Sequence, residues 1–227
     1  MRDLRLGKWQ DVLKGEMCDA LICDPPFSAV THKNQRTGSS LESSTIHYDP
    51  INESYCDVFV RAWAQKIGTW AIVFSDDVGF QWWRNAFSSA GFVTFAPVAY
   101  LRANPAPRFS GDGPTSALDY ICVARKKGKL PAKRHGSRPG YYIDRGQERT
   151  GHPGSKALSV MRAIVRDYTL RGDRIIDPFA GSGTTLIAAD VEGRSCTGAE
   201  CDPDTHALAM RRFKAGTTGD LFAEAEG

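Results

Sequence analysis

Between Arg174 and Glu200 the chain spells out one supersecondary unit. Arg174-Ile175-Ile176 is a short apolar run of the kind that buried strands use, and it stops at an acid, Asp177. Two glycines, Gly181 and Gly183, follow in a polar turn. A helix then reads through about Glu192, and a further strand ends at Glu200. Strand, acid, Gly-x-Gly, helix, strand and acid together predict a β-α-β unit that receives a nucleotide-type ligand at the carboxyl ends of its strands. The glycines let the backbone come close to such a ligand and open the helix. Glu200, 23 positions after Asp177, is placed to bind both hydroxyls of a ribose. The turn lacks the third glycine of the dinucleotide fingerprint, and Gly183 is followed by Thr184 rather than by the lysine of a P-loop. A ligand with a ribose and no phosphate fits better. S-adenosylmethionine is such a ligand, and Asp177 would lie near its amino group.

A second pole lies far upstream. Ala20-Leu21-Ile22-Cys23 reads as a buried strand and runs into Asp24-Pro25-Pro26-Phe27. An acid, two stiff prolines and an aromatic at the end of a strand suit an amino group on a planar ring. Asp24 can accept one N–H, a carbonyl fixed by the Pro-Pro unit the other, and Phe27 can stack on the ring. The competing reading is a turn that merely ends the strand. Residues 28–50 are rich in Ser and Thr and read as a long loop, a candidate lid over the site, with an insertion as the competing reading.

The intervening chain alternates. Helices are expected over 52–67 and 78–90, and strands over 69–74, 92–101 and 118–125. A further helix follows Lys156, and a last one covers roughly 203–213. The expectation is a single doubly wound, Rossmann-like α/β domain over residues 1–214, with 215–227 a disordered tail. No stretch nears the roughly 20 apolar residues of a membrane span, so a cytoplasmic location is expected. The six cysteines form no Cys-x-x-Cys and no zinc-finger spacing, and they read as buried thiols without a metal.

Charge is unevenly spread. Residues 102–149 hold eleven Lys/Arg and four Asp/Glu, whereas the rest of the chain is slightly acidic. This predicts a polyanion docking face over 102–150, for a nucleic acid such as double-stranded DNA, with Arg102, Arg108, Lys126, Lys127, Lys133, Arg134 and Arg138 on phosphates and Tyr141 and Tyr142 nearby for stacking. A solvated loop is the competing reading.

Asp24-Pro25-Pro26-Phe27 resembles the catalytic tetrapeptide of amino-group DNA methyltransferases. Asp177-Pro178-Phe179-Ala180-Gly181-Ser182-Gly183-Thr184-Thr185 resembles their cofactor loop, and His152-Pro153-x-x-Lys156 the motif that precedes it. The order of the three is similar to that of the beta class, in which the catalytic half comes first. The resemblance covers about residues 5–213. It implies a seven-stranded mixed sheet with helices on both faces, with the strands that lead into Asp24 and Asp177 side by side. It also implies S-adenosylmethionine as cofactor, S-adenosylhomocysteine as product, and cofactor contacts from His152, Lys156, Asp177, the turn 179–185 and Glu200. Two features depart from the family pattern. Gly7-Lys8 stands where the family has Gly-Asp, with Asp11 three positions on. Gly154-Ser155 and Ala157 replace the third, fourth and last residues of His-Pro-Thr-Gln-Lys-Pro.

What the resemblance implies for chemistry is methyl transfer to the exocyclic nitrogen of a flipped base, with no metal and no covalent intermediate. Asp-Pro-Pro-Phe favours N6 of adenine; N4 of cytosine is the nearest alternative, and a non-catalytic DNA-binding relic is a further one. Restriction–modification is an implied context. In the tail, Asp220-Leu221-Phe222 resembles the end of peptides that dock bacterial sliding clamps, against chance as the competing reading.

Overall fold

The computed structural model describes residues 1–29, 50–103, 105, 114–115, 117–128, 137–146 and 155–217. Its first strand, β1 (Arg2–Leu6), leads through a short helix α1 (Trp9–Val12) to β2 (Cys18–Cys23). Helix α2 (Glu53–Trp63), β3 (Ile67–Ser75), α3 (Asp77–Ser89), β4 (Phe92–Thr94), β5 (Val98–Arg102), β6 (Leu118–Lys126) and β7 (Tyr141–Asp144) follow. The carboxyl-terminal part is α4 (Leu158–Tyr168), β8 (Arg174–Asp177), α5 (Thr184–Val191), β9 (Ser195–Glu200) and α6 (Pro203–Thr217).

One mixed sheet runs in the order β1-β9-β8-β2-β3-β6-β5-β7, with β4 also paired to β6. The α/β class and the mixed sheet are as expected. The strand number is nine rather than seven among the described residues. Arg2–Leu6 and Tyr141–Asp144 add parallel partners at β9 and β5. The single strand expected over 92–101 is split at residues 95–97. Thr94 pairs with Ala124 and Val98 with Ile121, so three residues oppose two. Pro97 has no N–H to give to the ladder, and the chain bulges there.

The alternation of side chains along the strands builds two cores. Ala20, Ile22, Ile72 and Phe74 face α4, α5 and α6, whereas Leu21, Cys23, Ala71 and Val73 face α1, α2 and α3. Helices therefore cover both faces. On the second face Trp9 meets Phe59 edge-on at 5.1 Å, which seats α1 under the sheet as its apolar spacing predicts. Asn52 caps α2 by accepting from Tyr55 N at 2.9 Å, and Asp76 caps α3 by accepting from Gly79 N at 2.7 Å. Helix α6 reaches Thr217, a little past the expected end.

The topology fixes where a site can form. β2 pairs with β8 on one side and with β3 on the other, all parallel. From β2 the chain winds one way and from β8 the other, so the turns after Cys23 and Asp177 meet at the switch point. β6 alone is antiparallel to its neighbours among the described strands. Its beginning, not its end, therefore lies at the site pole.

No described helix is long and apolar enough to cross a membrane. The candidate lid from residue 30 onward lies outside the described residues as far as 49, as do His152, Arg108, Lys133, Arg134, Leu221 and Phe222.

Candidate active site

Asp24 leaves the end of β2 and meets Lys156, whose Nζ donates to its Oδ2 at 2.5 Å. Its other oxygen, Oδ1, is buried and has no hydrogen-bond partner among the described residues. Burial holds the Asp24 carboxyl above the usual carboxylate range, and the Lys156 charge opposes that rise. The Lys156 ammonium lies 5.0 Å from the Phe74 ring centre, 5.4 Å from that of Phe27 and 5.6 Å from that of Tyr100. The resemblance implies a cofactor contact for Lys156; in the fold its ammonium pairs with Asp24. Its neighbour Ser155 reaches the turn after β8, with the Ser155 and Ser182 hydroxyls 2.8 Å apart.

The chain just beyond Asp24 is pinned. Asp76 Oδ2 accepts from Ser28 N at 2.9 Å and from Ser28 Oγ at 2.5 Å, and Ile51 N donates to Phe27 O at 3.2 Å. The chain on either side of the 28–50 segment is thus bridged to itself and tied to the cap of α3. Phe27 is held between these ties and the Lys156 ammonium.

On the adjoining strand, Asp177 is buried; its Oδ1 accepts from Phe179 N at 3.0 Å, and Thr185 also bonds its carboxylate. Burial raises its pKa to about 7, against the pull of those donors and helped by the charges of Asp24 and Glu200. Glu200 ends β9 and accepts Gly181 N on Oε2 at 2.9 Å and Asp202 N on Oε1 at 2.8 Å. The backbone of Cys201 also bonds this carboxylate, so the acid is firmly seated at the end of β9. Gly181 has φ of 52°, and a Cβ built on it would meet nothing within 4 Å. The turn thus bares backbone into open space between two acids, a cradle that suits a ligand with hydroxyls and an ammonium. Arg212 of α6 braces it, donating to Ser182 O at 2.5 Å, Ser182 Oγ at 2.9 Å and Thr184 Oγ1 at 3.1 Å.

The departures from the family pattern have visible surroundings. Gly7 N donates to Glu200 O at 2.8 Å, which brings the backbone just before exposed Lys8 to the end of β9. Ala157, in place of proline, keeps an N–H that donates to Tyr100 Oη at 3.3 Å, and Tyr100 Oη donates to Asp144 at 2.6 Å.

The expected polyanion contacts divide. Arg102 stands at the site pole but is paired with Asp119. Lys126 ends the reversed strand at the opposite pole, where its Nζ donates to Ala64 O and Ile67 O, both at 3.1 Å. Arg138 lies 4.4 Å over the Trp70 ring and donates to Asp167 O at 2.9 Å, also away from Asp24. Lys127 is exposed beyond Lys126. Counting charge along the chain could not reveal this, because the antiparallel run of β6 carries its basic end away from the site. Asp119, Tyr100 and Arg212 belong to no motif, and nothing in their own stretches of sequence marks them. The described residues hold no group of three or more His, Cys, Asp and Glu able to hold a metal.

The family of DNA methylases, of the N6/N4 type, matches residues 18–211, a span that contains both turns and the strands that bring them together. The chain belongs to this family. Among these methylases, the type II methyltransferase M2.MboI of Moraxella bovis is 32% identical over 131 residues, 51% of this chain and 48% of its own length. The chain spans about half the length of the curated relatives it matches first. The M1.HpyAVI–SAM complex aligns with a TM-score of 0.67 at 20% identity, over 93% of this chain and 100% of that one. The cytosine-N4-specific PvuII DNA methyltransferase aligns at 0.66 with 14% identity, over 93% and 86%. At such identities the likeness concerns the methylase fold.

Proposed function

We propose that the chain transfers a methyl group from S-adenosylmethionine to the exocyclic amino nitrogen of a base in DNA, with N6 of adenine as the acceptor. One observation carries the reading. Asp24 is clamped through Oδ2, while its buried Oδ1 lacks a partner at the mouth of the switch point. A buried acceptor without a donor is costly, and a substrate N–H would satisfy it.

The residues divide the work. Asp177, the turn from Phe179 to Thr185 and Glu200 would hold the cofactor, with the acid-lined cradle taking its ammonium and ribose hydroxyls. Bound there, S-adenosylmethionine supplies an electrophilic methyl on a sulfonium. Asp24 Oδ1 and the Pro25 carbonyl would accept the two amino hydrogens and so aim the nitrogen lone pair. Pro26 stiffens that carbonyl, and Phe27 stacks on the base, which must leave the duplex to reach it. Rate then comes mainly from orientation. Arg108, Lys133, Arg134 and Lys127 remain the candidate phosphate contacts, and Arg102, Lys126 and Arg138 have other partners in the fold. Family membership, together with the complex that M1.HpyAVI forms with S-adenosylmethionine, supports the cofactor. The Asp-Pro-Pro-Phe form supports adenine. The PvuII enzyme's fold supports N4 of cytosine as the second reading.

The test is transfer of labelled methyl to unmethylated bacterial DNA, followed by nucleoside analysis. Label in N6-methyladenine is the expected result, and label in N4-methylcytosine selects the second reading. Asp24→Ala should abolish transfer and keep cofactor binding; wild-type turnover in that variant would remove Asp24 from the chemistry.

A further inference from the structure

Asp119 is an acid near the start of β6, in the ladder opposite Tyr100, and only 3% exposed. Its Oδ2 pairs with Arg102 and also lies 3.6 Å from Lys156 Nζ, so one carboxylate oxygen stands between the two cations. Lys156 in turn holds Asp24. Four groups from four separate parts of the chain thus form a row of alternating charge, Arg102, Asp119, Lys156, Asp24. Buried charges persist only when paired and bonded, so each inner member depends on the one behind it.

The rings of Phe74, Phe27 and Tyr100 surround the Lys156 ammonium, but attraction to a ring face is broad in direction. The two carboxylates are what set its position. With Asp119 drawing it from behind, Lys156 contacts one oxygen of Asp24 and leaves the other unpartnered.

We propose that Asp119, held by Arg102, is a positioning residue that fixes Lys156 on Oδ2 of Asp24 and so keeps Oδ1 as the acceptor for the substrate amino group. The catalytic half of this inference rests on the methyl-transfer reading; the positioning half rests on geometry alone.

The charged groups that act on Asp24 are Lys156, Asp119 and Arg102, with Asp177 on the neighbouring strand. Lys156 lowers the Asp24 pKa and Asp119 raises it, and the influence of Lys156 is the larger. This gives opposite signs to two roles. If Asp119 positions Lys156, replacing it lets the ammonium drift and the Asp24 midpoint rises. If Asp119 is only a nearby negative charge, its removal lowers that midpoint.

The experiment follows the Asp24 carboxyl carbon by NMR titration of the full chain, with Asp24→Asn to assign the resonance. It compares the wild type with Asp119→Asn. The expected result is a higher midpoint, with kcat lowered roughly tenfold or more and cofactor affinity unchanged, as for the loss of one ion-pair contact in a buried place. An unmoved or lowered midpoint overturns the proposal. Should Asp119→Asn not fold, Arg102→Lys keeps the charge, loses the planar fork, and should raise the midpoint less in the same direction. A wild type that methylates no DNA but whose midpoint rises on substitution would sink the functional reading and keep the positioning role. A methylating wild type whose midpoint and kcat ignore Asp119→Asn would do the reverse.

Discussion

Lys156 and Asp24 are 132 residues apart in the chain and 2.5 Å apart in the fold. Removing the lysine leaves two carboxylates, Asp24 and Asp119, without that partner in a largely buried place. Lys156→Met should therefore cost about 3 kcal/mol near neutral pH, the scale of breaking a buried pair from one side. The loss has a pH sign. Without Lys156 the folded-state pKa of Asp24 rises further above its unfolded value, so the Asp24 contribution is retained at low pH and lost as pH rises through the folded value. Urea unfolding at pH 5 and pH 8 should show the larger deficit at pH 8.

Asp177 gives a second pH dependence. Its folded pKa is about 7 against an ordinary value of 3.8. Between those values the folded state binds more protons than the unfolded one, so this group favours the fold below pH 3.8 and the benefit is lost as pH rises towards 7. Asp177→Asn should flatten that part of the stability profile. Cofactor binding should run the other way, since an ammonium prefers the ionised carboxylate. Calorimetry should find S-adenosylmethionine affinity rising with pH across about 7 in the wild type and flat in Asp177→Asn.

Gly183 opens α5 with φ of 82°, and a Cβ on it would stand 2.6 Å from the Phe213 ring. Gly183→Ala should meet both the left-handed backbone penalty and the ring, and should destabilise by roughly 2–4 kcal/mol. Phe213→Leu in the same chain should recover part of the contact cost and none of the backbone cost, as read from urea midpoints.

Asp76 accepts from Gly79 N as the cap of α3 and from the Ser28 N–H and hydroxyl. Asp76→Ala should cost roughly 2–4 kcal/mol by losing the cap and leaving buried donors unpaired. Because Ser28 follows Phe27 directly, its kcat should also fall, while Asp76→Asn keeps an acceptor and part of both properties.

How much of this is legible in the chain varies with how local the cause is. Asp177, Gly181, Gly183 and Glu200 announce themselves, because a turn, a helix start and a strand end leave marks within one stretch. Asp24-Pro25-Pro26-Phe27 does so too. The nearness of the two turns rests on the family's topology, and the β2–β8 pairing bears it out. Asp119 leaves no mark. It sits in a strand that otherwise reads as core, and its partners Arg102 and Lys156 come from other elements. Lys126 misleads for the same reason, since its charge is local and its partners, the carbonyls of Ala64 and Ile67, are not. The split of β4 from β5 is visible only as Pro97, whose effect depends on which strand lies opposite.

The reversal of β6 has a consequence for how such a site can change. Arg102 and Leu118 are opposite ends of one connection, and both stand at the pole where Asp24 and Asp177 emerge. The turn after Asp177 instead hands the chain to α5, which carries it back to the far side. The 103–117 connection leaves and returns at the same edge, so its length and sequence can be exchanged without altering the register of any strand. The turns after Cys23 and Asp177 can then stay constant while the sequence between Arg102 and Leu118 is rewritten, so one sheet tolerates many different surfaces at its site pole.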